Sequence, residues 1–260
     1  MPPFREGEGT LAEFRSHQPG TTPVTAGARA GALESPAEVQ AMFDRIAGRY
    51  DLMNCLMSGG CDRRWRALAA REALSGGAQS VLDVATGTGA LARALHQAGA
   101  ISVVGIDRST AMLDIAARRT PPGACISLRY GDALDLPFSD ASFDACTIGF
   151  GLRNLPDFQA GLHEMARVLR AGGRLVVLEL SPPSRPLFGP LFEIYFGKLV
   201  PLVGWLVTGD REAYRYLPES LRAFPDAYTL ARMMSRAGLV DIRWRFLGGS
   251  SVALHVGIKP

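Results

Sequence analysis

The segment from Val81 to Ala92, VLDVATGTGALA, constrains the fold of this chain more than any other. An apolar, strand-forming run empties into a turn with glycines at 87 and 89, and a helix-forming stretch follows. Glycine has no Cβ, so Gly87 and Gly89 can take positive φ and let a small molecule touch backbone at the N-terminus of the following helix. That makes the turn a candidate cofactor site. Two other readings fit the same residues: a tight turn that binds nothing, and, because the spacing is G-x-G-x-x-A, the dinucleotide fingerprint.

The next two strands bear on the choice. Ser102 to Asp107 (SVVGID) reads as a strand whose final acid falls 18 residues after Gly89, where a doubly wound fold places the carboxylate that grips a ribose diol. A third strand, roughly 125 to 130, ends in Gly131-Asp132-Ala133, followed by Leu136, Pro137 and Phe138. An acid there can accept from an adenine amino group while nearby apolar side chains sandwich the ring. Acids at 83, 107 and 132 suit S-adenosylmethionine better than a nicotinamide dinucleotide, which needs a second nucleotide half and pyrophosphate grip; no second glycine fingerprint is present.

Composition narrows the class without choosing the function. A chain of 260 residues, 47% hydrophobic and 20% charged, can bury one large core. The formal charge of +3 does not point to nucleic acid, although Arg63, Arg64, Arg66 and Arg71 give one segment a basic face. Cysteines at 55, 61, 125 and 146 and histidines at 17, 96, 163 and 255 lack metal-ligand spacing, so neither a zinc site nor a disulfide frame is expected. Cys125 and Cys146 fall in expected strands and read as small buried residues. Residues 1 to 32 carry no apolar leader core, so the expected compartment is the cytoplasm.

Along the chain, residues 1–34 read as a flexible tail and 35–75 as an N-terminal helical arm. The arm comprises a helix capped by Ser35 and Pro36 and running to about Tyr50, and a second from about Asp62 to Ala73. From 76 onward strands and helices alternate: strand 81, helix 90–98, strand 102–106, helix 109–118, strand 125–130, strand 143–149, helix 157–170, strand 173–180. Ala171-Gly172-Gly173 is expected to close the last of these helices. Such alternation implies a mostly parallel sheet covered on both faces. The last strands, 241–247 and 251–258, are joined by Gly248-Gly249-Ser250 alone, and so short a connection forces an antiparallel pair. A parallel sheet of seven strands finished by an antiparallel hairpin is the α/β, Rossmann-like architecture of class I methyltransferases. An insertion at 182–237 opens with a strongly apolar stretch, 186–207, whose three prolines, Glu193 and Lys198 argue against a membrane span. It reads as a greasy helical lid or as helices packed on the core.

Three blocks carry a resemblance: Met42 to Asn54 (MFDRIAGRYDLMN), Gly149 to Asn154 (GFGLRN) and Arg167 to Ser181 (RVLRAGGRLVVLELS), with Tyr214 to Ser220 similar too. They resemble the quinone-biosynthesis C-methyltransferases, over about residues 36 to 260. The resemblance implies S-adenosylmethionine as donor and a prenylated quinol as acceptor, either demethylmenaquinol or a benzoquinol of the ubiquinone pathway. Its donor contacts fall on Thr88, Asp107, Asp132 and Ala133, beside Gly87 and Gly89. Ala90 stands where many relatives have an acid, and Gly149 where some have serine. The resemblance also leaves room for peripheral contact at the inner face of a membrane and for a homodimer.

Carbon methylation needs an electron-rich ring carbon, which a quinol losing a hydroxyl proton provides and an oxidised quinone does not. A cation aimed at the quinol oxygen would lower the barrier. Arg153, just past the fourth strand at the carboxyl edge of the sheet, is the first candidate, with an ordinary structural ion pair as the alternative. Tyr50 can orient the hydroxyl or relay its proton, or simply pack the arm, and Asn154 can fix the second oxygen. A methyltransferase for another aromatic, an NAD-dependent oxidoreductase and a non-catalytic scaffold of a quinone-making complex remain alternatives at this point.

Overall fold

The computed structural model describes residues 8–11, 35–181 and 211–260. The arm begins with α1 (Pro36–Ile46), whose cap is reciprocal: Ser35 Oγ accepts from the Glu38 amide at 3.3 Å, and Glu38 Oε2 accepts from the Ser35 amide at 3.0 Å. A 3-10 turn, Ala47–Arg49, leads into α2 (Tyr50–Ser58), which ends on Gly59 at φ 58°. The sequence reading ran one helix to Tyr50 and left 51–61 unassigned, so α2 is an addition. α3 (Asp62–Leu74) follows where expected.

The sheet is built from β1 (Glu8–Thr10), β2 (Ser80–Val84), β3 (Ser102–Asp107), β4 (Ile126–Tyr130), β5 (Phe143–Gly149), β6 (Leu169–Leu180), β7 (Val240–Leu247) and β8 (Val252–Ile258). The helices α4 (Ala90–Gln97), α5 (Thr110–Arg119), α6 (Phe158–Arg167), α7 (Arg211–Ala223) and α8 (Ala227–Arg236) complete the described elements. Spatial order is β1-β7-β8-β6-β5-β2-β3-β4. The pairs from β6 through β4 are parallel, and β8 runs antiparallel to both β6 and β7. The class I architecture with its C-terminal antiparallel pair is present, with eight strands where seven were expected. The eighth is β1, antiparallel to β7, in what read as a flexible tail. It seats where Gly9 lies flat on Trp244: a Cβ on Gly9 would come within 2.6 Å of the indole.

Alternation along the strands divides the core in two. Leu175 and Val177 of β6 pack with Leu82, Ile106, Ile148, α6 and α8, while Val176 and Leu178 face Val81, Val103, α3 and α4. Strands buried on both faces read as unbroken apolar runs, which is why they were legible in the sequence. Two local expectations are corrected. α6 stops at Arg167, and Gly172 and Gly173 lie in a bulge at the start of β6, where the carbonyls of Arg170 and Asp144 would crowd any Cβ at Gly173. Cys146 is buried as expected, whereas Cys125 precedes β4 and is exposed.

The apolar stretch 186–207 lies outside the described residues. The later part of the insertion is helical, and α8 buries Leu230, Ala231 and Met234 in the core beneath β7 and β8. Among the described residues no helix is long and apolar enough to cross a membrane.

Candidate active site

Strand order reverses between β2 and β5, and in open α/β sheets the crevice at such a point receives ligands. A cavity of about 1030 Å³ lies there, roofed by the arm through Val39, Gln40, Phe43 and Tyr50. Gly87, Thr88, Asp107, Asp132, Ala133 and Asn154 all line it, so most of the residues singled out from the sequence converge. Gly87 takes φ 55°, and a Cβ there would meet nothing within 4 Å; the backbone is bared toward open space of the kind a ligand needs. Gly89 does something else. At φ 75° it is the N-cap residue of α4, and its Cα faces Ala116 and Arg93, not the cavity.

The three acids differ in their surroundings. Asp107 accepts from the Gly87 amide and the Ser109 amide, each at 2.8 Å, so it ties the glycine turn to the end of β3. Burial raises its pKa, with the amides of Ser109, Gly87 and Arg108 opposing. Asp132 is half exposed, accepts from the Leu134 amide and stands 3.4 Å from Arg108 Nη1. Asp83 lies within β2, buried, and accepts from Thr86 Oγ1 at 2.6 Å and Thr147 Oγ1 at 2.7 Å. Burial pushes its carboxyl up to about 6, against the pull of those hydroxyls and of Arg66. The apolar wall beside Asp132 also differs from expectation: Leu136 and Phe138 pack into the core with Phe143, while Met112, Leu155 and Pro156 line the cavity.

The arm is fastened to the cavity rim by polar contacts that sequence reasoning missed. Thr88 Oγ1 donates to Asp51, which also pairs with Arg119; Ser109 Oγ donates to Asp44; and Gln40 Nε2 donates to the Arg108 carbonyl at 2.9 Å. Arg66, read from the sequence as part of a basic face, is turned inward, pairs with Asp62 and lies 5.2 Å above the Phe150 ring. The two departures from the family pattern are both at the cavity. Ala90 opens α4, and a Cβ on Gly149 would meet Leu91 Cδ2 at 3.0 Å, so serine there would need Leu91 to shift.

Arg153 is not in the wall of this cavity. It is buried one layer behind, beside a smaller cavity of about 490 Å³ that shares Phe150 with the first. Its Nη1 donates to Glu179 Oε1 at 2.6 Å and to the Phe150 carbonyl at 2.8 Å, while its Nε has no partner among the described residues. Burial alone would lower its pKa, but the Glu179 carboxylate and the nearby Tyr50 and Tyr216 oxygens outweigh that and raise it. Tyr216 donates to Asn154 Oδ1 at 3.3 Å, and burial pushes its phenol up to about 12, so it stays a hydrogen-bond donor. Tyr50 and Asn154 thus line the cavity, with Tyr216 bonded to Asn154 and the Arg153 cation buried behind them, near enough for both tyrosines to act on its charge. Glu179 and Tyr216 had been overlooked, although an acid between Leu178 and Leu180 in an apolar strand was a visible signal. His163 plays no part: it meets the Arg236 carbonyl on the far side of α6.

Comparisons with known proteins identify the family and the fold. Residues 32–259 match the ubiE/COQ5 methyltransferase family. The chain is 48% identical over 233 residues to a demethylmenaquinone methyltransferase of Mycolicibacterium gilvum, covering 89% of this chain and 99% of that protein. It is 49% identical over 224 residues to one of Deinococcus radiodurans, covering 85% and 92%. Among solved structures, the [4+2]-cyclase SpnF superposes with a TM-score of 0.63 at 20% identity, covering 89% of this chain and 98% of that one. A SAM-dependent methyltransferase of Thermotoga maritima gives 0.59 at 20% identity, covering 85% and 100%; both likenesses speak to the fold. With the family matched across nearly its whole described length, this chain belongs to the ubiE/COQ5 methyltransferases and is an S-adenosylmethionine-dependent methyltransferase by fold and family.

Proposed function

We propose that this enzyme methylates a ring carbon of demethylmenaquinol to give menaquinol, a step of menaquinone biosynthesis. The reading is supported by relatives of that name at 44–49% identity over most of their length. The observation that carries it is one cavity lined by the bare Gly87 turn, Asp107 and Asp132 together with Tyr50 and Asn154, with the Arg153–Glu179 pair buried behind it.

On the glycine-turn side, the Gly87 backbone, Thr88, Asp107, Asp132 and Ala133 hold the donor, with Met112, Leu155 and Pro156 beside its base. The open space at Gly87 and the apolar wall next to Asp132 fit a nucleoside. Bound there, S-adenosylmethionine supplies a methyl group already activated on a sulfonium sulfur. The chain's own work is positioning, since a reaction between aligned partners gains most from holding them in line and excluding water. The arm excludes water. Tyr50 and Asn154 orient the quinol oxygens, and the guanidinium of Arg153, pinned by Glu179, favours the ionised form of the nearby hydroxyl through its field in a dry site. Tyr50 passes the released proton outward. Arginine remains charged throughout and so acts as a stabiliser and not as a base. Because the acceptor is a lipid, the enzyme works in peripheral contact with a membrane.

The test is label transfer from methyl-labelled donor to short-chain demethylmenaquinone presented reduced or oxidised. Labelling of the reduced form alone is expected. Equal labelling of both forms would refute the nucleophilic-quinol mechanism, and labelling only of a benzoquinol would move the enzyme to the ubiquinone pathway.

A further inference from the structure

The smaller cavity, of about 490 Å³, is lined by two residues that each carry a polar group the chain leaves unanswered. Arg153 Nε and Asn54 Nδ2 are buried, and among the described residues neither has a hydrogen-bond partner. A buried N–H without an acceptor costs free energy, so such a group calls for an occupant. The other polar groups of the wall are engaged. Asp62 takes Arg66 Nη1 and, at 3.2 Å, the Ser58 hydroxyl, and Ser251 Oγ donates to the Gly248 carbonyl at 2.7 Å. The cavity thus offers two N–H donors, one from an amide and one from a guanidinium, in a wall whose apolar part includes Trp65, Phe150, Leu180 and Val252.

The same elements serve both cavities. On α2, Tyr50 lines the larger one and Asn54, one helical turn further along the same face, lines the smaller. After β5, Asn154 lines the larger and Arg153 the smaller, while Phe150 lines both. Phe150 sits in left-handed backbone at φ 59°, where a bulky residue is strained, and its carbonyl accepts from Arg153 Nη1 at 2.8 Å and Asn154 Nδ2 at 3.4 Å. Its ring has the Arg66 guanidinium 5.2 Å above it and the Trp65 ring 6.5 Å away. The smaller volume lies in the range of pockets that take small molecules. Donors set in an aromatic and aliphatic wall suit a flat ring bearing oxygen; a hydrated anion would gain nothing from Trp65 and Leu180.

We propose that the smaller cavity receives one oxygen-bearing edge of the acceptor's aromatic ring, with Asn54 Nδ2 and Arg153 Nε donating to that oxygen. Asn54 is then an acceptor-binding residue, and Tyr50 and Asn154 are left to the ring's other oxygen in the larger cavity. A hydrogen bond from a cationic donor strengthens as its acceptor gains negative charge, so the pair favours a ring that is losing a hydroxyl proton. The inference rests on the quinol reading of the proposed function, but its test reads binding and not methyl transfer, so the two can fail separately.

The experiment is anaerobic calorimetric titration of the full chain, loaded with S-adenosylhomocysteine, with 1,4-dihydroxynaphthalene and with 1-naphthol, which lacks the second oxygen. The parent should bind the diol about tenfold more tightly than the naphthol. Asn54→Leu, similar in size but without a donor, should bind the diol about tenfold more weakly and lose that preference. Its melting temperature should not fall, since an unanswered polar group has been removed, and it should titrate S-adenosylhomocysteine as the parent does. Asn54→Asp, which keeps the shape and turns a carboxylate toward the oxygen, should weaken the diol in the same way. A diol preference that survives in both variants overturns the proposal and leaves the cavity to an ordered water. So does a melting temperature several degrees lower in Asn54→Leu, which would make Asn54 a packing residue, and so does a parent that does not distinguish the two ligands. Label transfer by the parent separates the readings: transfer to demethylmenaquinol beside variants that keep the diol preference sinks this inference alone.

Discussion

Replacing Glu179 with glutamine tests how firmly the buried Arg153 cation is held. The Arg153 and Glu179 side chains are 7% and 1% exposed, and Glu179 accepts from Arg153 Nη1 at 2.6 Å, from the Leu180 amide at 2.8 Å and from the Arg153 amide at 3.3 Å. Glutamine keeps the size and one acceptor but removes the charge and turns an NH2 toward other donors. The guanidinium is then a buried cation without its counterion, a change that costs about 3–5 kcal/mol. At about 2–4 °C per kcal/mol for a chain of this size, the melting temperature should drop by roughly 6–20 °C. Thermal unfolding followed by circular dichroism reads the effect. The double variant Glu179→Leu with Arg153→Met removes both charges and should recover most of the loss, because two apolar side chains of similar volume replace a pair whose desolvation was expensive. It should nevertheless transfer no methyl group while still binding S-adenosylhomocysteine. A fall below about 2 °C in the single variant, or a double variant no more stable than the single, would refute the reasoning.

Asp107→Ala removes the carboxylate that binds the Gly87 amide and the proposed ribose contact; at about 1.5–3 kcal/mol, calorimetric affinity for S-adenosylhomocysteine should weaken roughly 10- to 150-fold. Gly87→Ala and Gly77→Ala force alanine into left-handed backbone at φ 55° and 86°, each costing about 1–2 kcal/mol of stability, yet only the first should lose donor binding, because its methyl group points into the cavity. Stability against pH should show two opposed slopes. Asp83, raised from 3.8 to about 6, weakens the fold as pH rises through that interval. His255, buried against the Ala227 carbonyl and lowered from 6.5 to about 4, weakens it as pH falls. Urea midpoints of the ligand-free chain should thus be nearly flat from pH 6 to pH 4, and Asp83→Asn should expose a decline toward acid that the parent lacks; a parallel pair of curves would contradict the assignment.

Local chemistry explains what could be read before any coordinates. The parallel strands are apolar on both faces, Ser35, Pro36 and Glu38 spell out a helix start, the three-residue turn at 248–250 permits only an antiparallel return, and Gly87 and Asp107 lie on consecutive strand ends. All of these depend on neighbours in the chain or on the period of a strand, so the class I sheet and the glycine-turn side of the cavity followed from the sequence alone. What it did not reveal depends on side chains that meet across large separations. Glu179 finds Arg153 and Tyr216 finds Asn154 only after β6 and α7 are placed beside the loop that follows β5. Asp51 reaches Thr88 only when the arm folds over the glycine turn, and the same closure turns Arg66 inward while leaving Arg63 and Arg64 outside. The strand at Glu8–Thr10 carries no apolar pattern of its own; it exists because Gly9 can lie against Trp244 at the open edge of β7. Periodicity and turn chemistry are properties of a segment, whereas the pairing of a buried charge is a property of the packed whole, and only the tertiary structure decided it.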